Sequence, residues 1–225
     1  MVEVALPSGT VAIPLELEMP ASSPAAVVAL AHGSGSGREH PFLVGLAAAL
    51  REAGYATARF DFPYRAAGRR MPGPAAHAIA TWSAVTAELA RTLPAVPFVA
   101  AGKSYGGRMA SMAAADGVID PAALVYLGYP FHPPGKPEAP RGAHLPAIAA
   151  PQLFVEGTTD PFIQPLDQFT DAVATCQDAE IVWIAGGGHS FEMKGARRPA
   201  DEVGALIAAS VLQFLRTRVA PPARG

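Results

Sequence analysis

The sequence predicts an α/β fold of the doubly wound kind, a mostly parallel sheet with helices on both faces. Three observations predict it: short, nearly continuous apolar runs recur along the chain, stretches with helical spacing separate them, and the residues capable of chemistry fall just after the apolar runs. After a Pro-Ser-Gly turn, Val11–Glu18 alternates apolar and polar residues, the period-two pattern of an edge strand with one wet face, and Pro14 suits such an edge. Buried parallel strands are predicted at Ala26–Ala31, Ala56–Phe60, Phe98–Ala101, Ala122–Leu127, Gln152–Val155 and Ile181–Ile184. Helices are predicted at Phe42–Ala53, Ala75–Leu93, Gly107–Ala115, Leu166–Thr175 and Ala200–Arg216. The Pro-rich stretch from Tyr129 to Pro151 reads as an ordered loop.

At 225 residues the chain is long enough for a sizeable core, and one domain over residues 1–225 is the simplest division. The composition, 50% hydrophobic and 16% charged, argues against global disorder and suits a sheet covered on both faces. A net charge of −2 supplies no basic field for nucleic acid and no polybasic patch for a membrane surface, so the expected partner is a small molecule. Cys176 stands alone, which rules out an intramolecular disulfide and fits the cytoplasm; it reads as a structural thiol. Glu3 stands where a signal peptide needs basic residues, and the apolar run Ala25–Ala31 is far short of the roughly 20 residues that span a bilayer. No targeting or membrane segment is expected.

The most informative stretch is Gly102-Lys-Ser-Tyr-Gly-Gly107, which joins a predicted strand to a predicted helix. Gly-x-Ser-x-Gly in that context is a nucleophile elbow: a strained turn projects the serine hydroxyl from the sheet, and glycines let neighbouring backbone pass without a Cβ clash. The helix that follows directs its N-terminus at the reacting carbonyl. Two competing glycine motifs fail on spacing. A phosphate-binding loop needs a glycine at position 97, which is proline, and the dinucleotide-like Gly33-Ser-Gly-Ser-Gly37 has its third glycine one residue early.

A carbonyl attacked by Ser104 develops negative charge, which fixed backbone N–H donors must meet. The expected donors are the amides of Tyr105, after the nucleophile, and of Ser34 in Ala31-His-Gly-Ser-Gly35, with Gly33 and Gly35 shaping that loop and His32 acting as a structural hydrogen bonder. In this arrangement the acid and then the histidine follow the serine along the chain. Asp160, held before a proline after the strand ending at Val155, is the expected acid; Glu156 competes, but at the strand end it should point into the sheet packing. His189, after three consecutive glycines, is the expected base, with a pKa range suited to taking and returning a proton. His40, His77, His132 and His144 show no metal-ligand spacing, so neither a metal nor a cofactor is expected.

Beyond these, Tyr64, Tyr129, Phe131 and His132 follow strands and are expected as pocket walls, with Asp61 and Arg65 nearby. Arg108 should seek a packing or ion-pair partner, and Lys103 beside the serine could meet an acidic substrate group. Roughly 24 residues, many of them proline or glycine, separate Leu127 from Gln152, too short a stretch for a multi-helix lid.

The residues also carry a family resemblance. LAHGSGSG at Leu30–Gly37, RFDFPYR at Arg59–Arg65, AGKSYGGRMAS at Ala101–Ser111, LGYPFHPPGKP at Leu127–Pro137 and the TTDPF and GGGHSF loops are similar to those of the small α/β-hydrolases related to dienelactone hydrolase and testis-expressed protein 30. The resemblance covers most of the chain. It implies an α/β-hydrolase fold without a large cap and supports Ser104, Asp160 and His189 as the catalytic set. Dienelactone hydrolase uses a cysteine nucleophile, so its lactone substrate does not carry over. The expected activity is that of an esterase-type serine hydrolase acting on a small soluble ester, thioester or lactone through an acyl-enzyme. The alternative is a scaffold or interaction protein that has kept the fold, since some larger relatives serve in chromatin complexes.

Overall fold

The computed structural model describes residues 1–219. In chain order the elements are β1 (Val2–Leu6), β2 (Gly9–Ile13), β3 (Leu15–Glu18), β4 (Val27–Ala31), α1 (Pro41–Glu52), β5 (Ala56–Phe60), α2 (Pro63–Ala66), α3 (Ala75–Thr92), β6 (Phe98–Lys103), α4 (Tyr105–Ala115), β7 (Ala123–Leu127), β8 (Gln152–Gly157), α5 (Leu166–Ala174), β9 (Ala179–Ile184) and α6 (Ala200–Arg218). The main sheet has seven strands in the order β3-β5-β4-β6-β7-β8-β9. Its first strand pairs antiparallel and the other pairings are parallel.

The alternating segment predicted as one edge strand is two. Gly9–Ile13 forms a hairpin with β1, while Leu15–Glu18 lies on the edge of the main sheet. Pro14 sits at the break, because a residue without an N–H cannot carry the ladder from one partner to the next. Strand β1 was not anticipated, although its buried Val2 and Val4 flank exposed Glu3 in the expected period. The edge strand is fastened by Arg59 on β5, whose guanidinium lies 2.9 Å from Glu16 and 3.3 Å from Glu18.

Strands buried on both faces read as continuous apolar runs for a geometric reason: successive side chains point to opposite cores. In β4, Val28 and Leu30 pack on the side of α1 and α6, whereas Val27, Ala29 and Ala31 pack on the side of α3, α4 and α5. On the first side α1 and α6 cross closely. A Cβ added at Gly204 would collide with the carbonyl oxygen of Phe42, and one at Gly45 with the backbone of Asp201. The two glycines therefore set the helix separation.

This gives a prediction whose sign is diagnostic. In an unpacked helix, Gly→Ala stabilises by about 1 kcal/mol. Gly204→Ala is instead expected to destabilise the fold by roughly 1–3 kcal/mol, because two backbones must move apart. Urea unfolding measures the difference, and a gain in stability would show that α1 and α6 have room to separate.

Candidate active site

The chain leaves β4 on one side to reach β5 and later crosses to β6 on the other, so the strand order reverses at β4. An open α/β sheet is split by a crevice at that point, beyond the carboxyl ends of its strands. The singled-out residues gather there: Ser34 follows β4, Ser104 follows β6, Asp160 follows β8 and His189 follows β9.

Ser104 occupies the turn between β6 and α4 with φ 49° and ψ −114°, a positive φ that is strained for a residue with a Cβ. The turn closes because its glycines are small. A Cβ on Gly102 would meet the backbone of Gly106 and Gly107, and one on Gly106 would lie 2.7 Å from atoms of Ala31 and His32. The serine hydroxyl is 2.8 Å from His189 Nε2, and His189 Nδ1 is 2.6 Å from Asp160 Oδ2. Asp160 is fully buried, and its other oxygen accepts the Phe162 N–H at 2.8 Å. An acceptor on Nδ1 fixes the tautomer, so Nδ1 carries the proton and Nε2 presents a lone pair to the hydroxyl.

The loop after β4 lies beside the serine. Ser34 and Gly33 line the same cleft as Ser104, and Tyr105 is the first residue of α4, a position whose N–H has no partner within the helix. Neither amide donates to a backbone acceptor among the described residues. Fully buried His32 holds this loop: its Nδ1 lies 2.8 Å from the Gly33 carbonyl, and its Nε2 accepts the Phe62 N–H at 3.2 Å. Burial lowers the His32 pKa, which keeps the ring neutral and able to accept. Asp61 adds a second tie by accepting from Arg38 at its backbone N–H (2.7 Å) and its guanidinium (2.8 Å).

Glu156, the competing carboxyl, lies at the end of β8, fully buried. It accepts the Tyr129 N–H at 2.7 Å, and burial raises its pKa well above the usual carboxyl range. It anchors the loop after β7 and makes no bond to His189 among the described residues. Lys103, next to the serine, donates from Nζ to the His189 carbonyl at 2.7 Å and lies 5.5 Å from the centre of the Phe191 ring. Burial pushes its pKa down to about 8.

The cleft encloses about 310 Å³ and is lined by Ser34, Ser36, His40, Phe42, Leu43, Lys103, Phe162 and Ser190 among others. The four residues expected as pocket walls are not among them. Tyr64 packs on Phe62 and Tyr105, and Phe131 on Phe169. His132 is fully buried, with its N–H bonded to the Phe162 carbonyl. Tyr129 packs edge-to-face with Tyr126 and Phe154, and its hydroxyl joins Ser111 (3.1 Å), which in turn lies 2.8 Å from His144 Nε2. The physical reason is that, once past the strand end, the rings of Tyr64, Tyr129 and Phe131 complete the core on the α3–α5 side rather than turn toward the serine, and His132 packs its ring against Phe131. Arg108 is half-buried, and its Nε finds no hydrogen-bond partner among the described residues. Sequence reasoning missed His40, whose Nδ1 accepts the Phe42 N–H and caps α1, and Phe162, whose ring lies 4.2 Å from that of His189. The signal for Phe162 was its place two residues after Asp160 in the TTDPF loop.

Among the described residues no three His, Cys, Asp or Glu side chains are grouped to hold a metal ion, and no helix is long and apolar enough to cross a membrane.

Comparison with known proteins gives three findings. Residues 24–215 match the family described as alpha/beta hydrolase domain. Two Mycobacterium tuberculosis proteins, from strains CDC 1551 and H37Rv, are each 30% identical over 203 residues, 86% of this chain. They carry a phosphoribosyl transferase name, and the chain spans only 42% of their length. Among solved structures, an alpha-beta serine hydrolase homologue from Coxiella burnetii aligns with TM-score 0.74 at 19% identity over 95% of both chains. A lidless serine hydrolase from Xanthomonas campestris aligns with TM-score 0.74 at 18% identity over 100% of this chain and 96% of that one. Dienelactone hydrolase from Anabaena variabilis aligns with TM-score 0.70 at 23% identity over 97% and 96%. These structures share the fold of this chain, and the family match runs from before β4 into the last turns of α6: the chain belongs to the small alpha/beta-hydrolases.

Proposed function

We propose that the protein is a serine hydrolase of esterase type, with Ser104 as nucleophile, His189 as general base and Asp160 as the acid that orients the histidine. The observation that carries this reading is the unbroken chain of hydrogen bonds from buried Asp160 through His189 to Ser104, at 2.6 and 2.8 Å, opening on a cleft. As Ser104 Oγ attacks a carbonyl carbon, its proton passes to His189 Nε2, and the negative charge of Asp160 stabilises the imidazolium so formed. The carbonyl oxygen becomes an oxyanion, for which the unengaged amides of Ser34 and Tyr105 are the donors. His189 then gives the proton to the leaving oxygen or sulfur, leaving an acyl-serine. Water, deprotonated by the same imidazole, releases the acid and restores the hydroxyl. These steps need no cofactor. They suit esters, thioesters and lactones of small soluble molecules. The phosphoribosyl transferase name belongs to proteins more than twice the matched length and supports no reaction at this site.

A fluorophosphonate probe is expected to label Ser104, and His189→Ala or prior heat denaturation to abolish most of the labelling, because the hydroxyl is unreactive without its base. Mass spectrometry of the labelled peptide checks it, and modification at another serine would remove Ser104 from the role. Asp160→Asn is expected to lower kcat by about 10⁴-fold through the wrong histidine tautomer. Glu156→Gln, which keeps an oxygen for the Tyr129 N–H, should cost far less; the reverse order would transfer the acid role to Glu156.

The volume of the cleft sets a limit on the acyl chain. About 310 Å³ walled by Phe42, Leu43 and Phe162 is small for a ligand site. A long groove would add about 0.8 kcal/mol of binding for each further methylene. The specificity constant on p-nitrophenyl esters is therefore expected to peak at short acyl chains and to fall before long ones, without activation at a lipid interface. A steady rise to long chains would contradict so small an acyl site.

A further inference from the structure

We propose that Lys103 makes this cleft selective for substrates that carry a carboxylate a few atoms from the scissile carbonyl, with the ammonium as its anchor. The proposal rests on the esterase reading and names the class of ester. Of the twelve lining residues, Lys103 is the one that is neither neutral nor a histidine, and no Asp or Glu is among them. The chain as a whole is negative, at −2, so the positive cleft is a local arrangement.

The ammonium has spare bonding capacity. It carries three donors, and among the described residues its hydrogen bond goes to an uncharged acceptor, the His189 carbonyl. The carboxyls that surround it are otherwise engaged. Glu156, from β8, lies buried against the Tyr129 amide, where loss of solvation favours its protonated form. Asp160, from the following loop, is bonded to His189 and to the Phe162 amide. Glu192, beyond β9, is exposed and accepts the Ser190 N–H. On the remaining side, His40 at the start of α1 is kept uncharged, its pKa lowered by burial and by Lys103, so it neither neutralises the ammonium nor competes with it. A partly buried cation with free donors gains more from an arriving anion than a surface lysine does, since less water has to be displaced. The hydroxyls of Ser34, Ser36 and Ser190 and the opening turn of the twelve-residue α1 border the same space and are all compatible with negative charge. A carboxylate matches a lone ammonium charge for charge. A cationic substrate would find no Asp or Glu among the lining residues to pair with.

The experiment compares two pairs of esters that differ in charge and little else. Monoethyl succinate is set against ethyl valerate, with ethanol release as readout, placing the carboxylate on the acyl side. 4-Acetoxybenzoate is set against its methyl ester, placing it on the leaving group. In the wild-type protein kcat/KM is expected to favour the anion by roughly tenfold or more in at least one pair at pH 7. The preference should weaken with added salt and decline above about pH 8, where the ammonium loses its proton. Lys103→Gln keeps a donor for the His189 carbonyl and is expected to erase the preference, whereas Lys103→Arg keeps much of it. Equal or better turnover of the neutral member in both pairs overturns the proposal, as does a preference that survives Lys103→Gln. Fluorophosphonate labelling separates the two readings. If Ser104 is labelled and neutral esters are cleaved with no charge preference, the hydrolase stands and the anchor falls; if Ser104 is not labelled and no ester is cleaved, both fall.

Discussion

The site depends on one close contact, that of the turn after β6 against the end of β4. Gly106 sits so near Ala31 and His32 that a single added carbon would overlap three of their atoms at 2.7 Å. The contact places the start of α4 beside the loop that carries Ser34, which is the arrangement the proposed oxyanion donors require. It also explains why Ser104 tolerates a positive φ: β6 holds one side of the turn and α4 the other, and the Ser104 N–H is bonded to the Leu127 carbonyl at 3.0 Å. Local strain persists where the surroundings over-determine it.

Around this contact the carboxyl ends of the strands are tied by buried polar side chains. His32 joins the loops after β4 and β5, Glu156 joins β8 to the loop after β7, and Asp160 joins the loop after β8 to that after β9. Each bond satisfies a buried group that would otherwise destabilise the fold by about 1–3 kcal/mol. The same bonds fix the loops that a reaction needs fixed. Placing such groups at strand ends lets the apolar strand interiors provide burial and the polar rim provide position.

Much of this was legible in the sequence because two signals agree. The buried strands and their helices were marked by unbroken apolar runs and by helical spacing, and the glycines around Ser104 and before His189 marked turns that only small residues permit. Asp160 was separable from Glu156 by its distance from the strand end. What could not be read was direction. Tyr129 and Phe131 lie just past a strand, as a pocket wall would, yet their rings fold back over Tyr126, Phe154 and Phe169. His40 and Phe162 line the cleft from a helix cap and a loop that carry no period. The hairpin of β1 with β2 was hidden by a single residue: Pro14 interrupts a pattern whose alternation runs straight through it.

The cluster of Tyr129, Ser111 and His144 shows why a serine beside a histidine is not enough. Ser111 Oγ is 2.8 Å from His144 Nε2, the same separation as between Ser104 and His189. The difference lies in where the protons are committed. The hydroxyl hydrogen of Ser111 has the Arg108 carbonyl as its acceptor at 2.8 Å, so the oxygen is left with lone pairs for the Tyr129 hydroxyl and for an N–H on His144. The imidazole thus faces its serine as a donor, and no carboxylate is paired with its other nitrogen among the described residues. With the residue fully buried as well, Ser111 is an internal counterpart of the proposed catalytic pair with the polarity reversed. Within one small fold, a backbone carbonyl on one side and a buried aspartate on the other give two similar pairs opposite chemical characters.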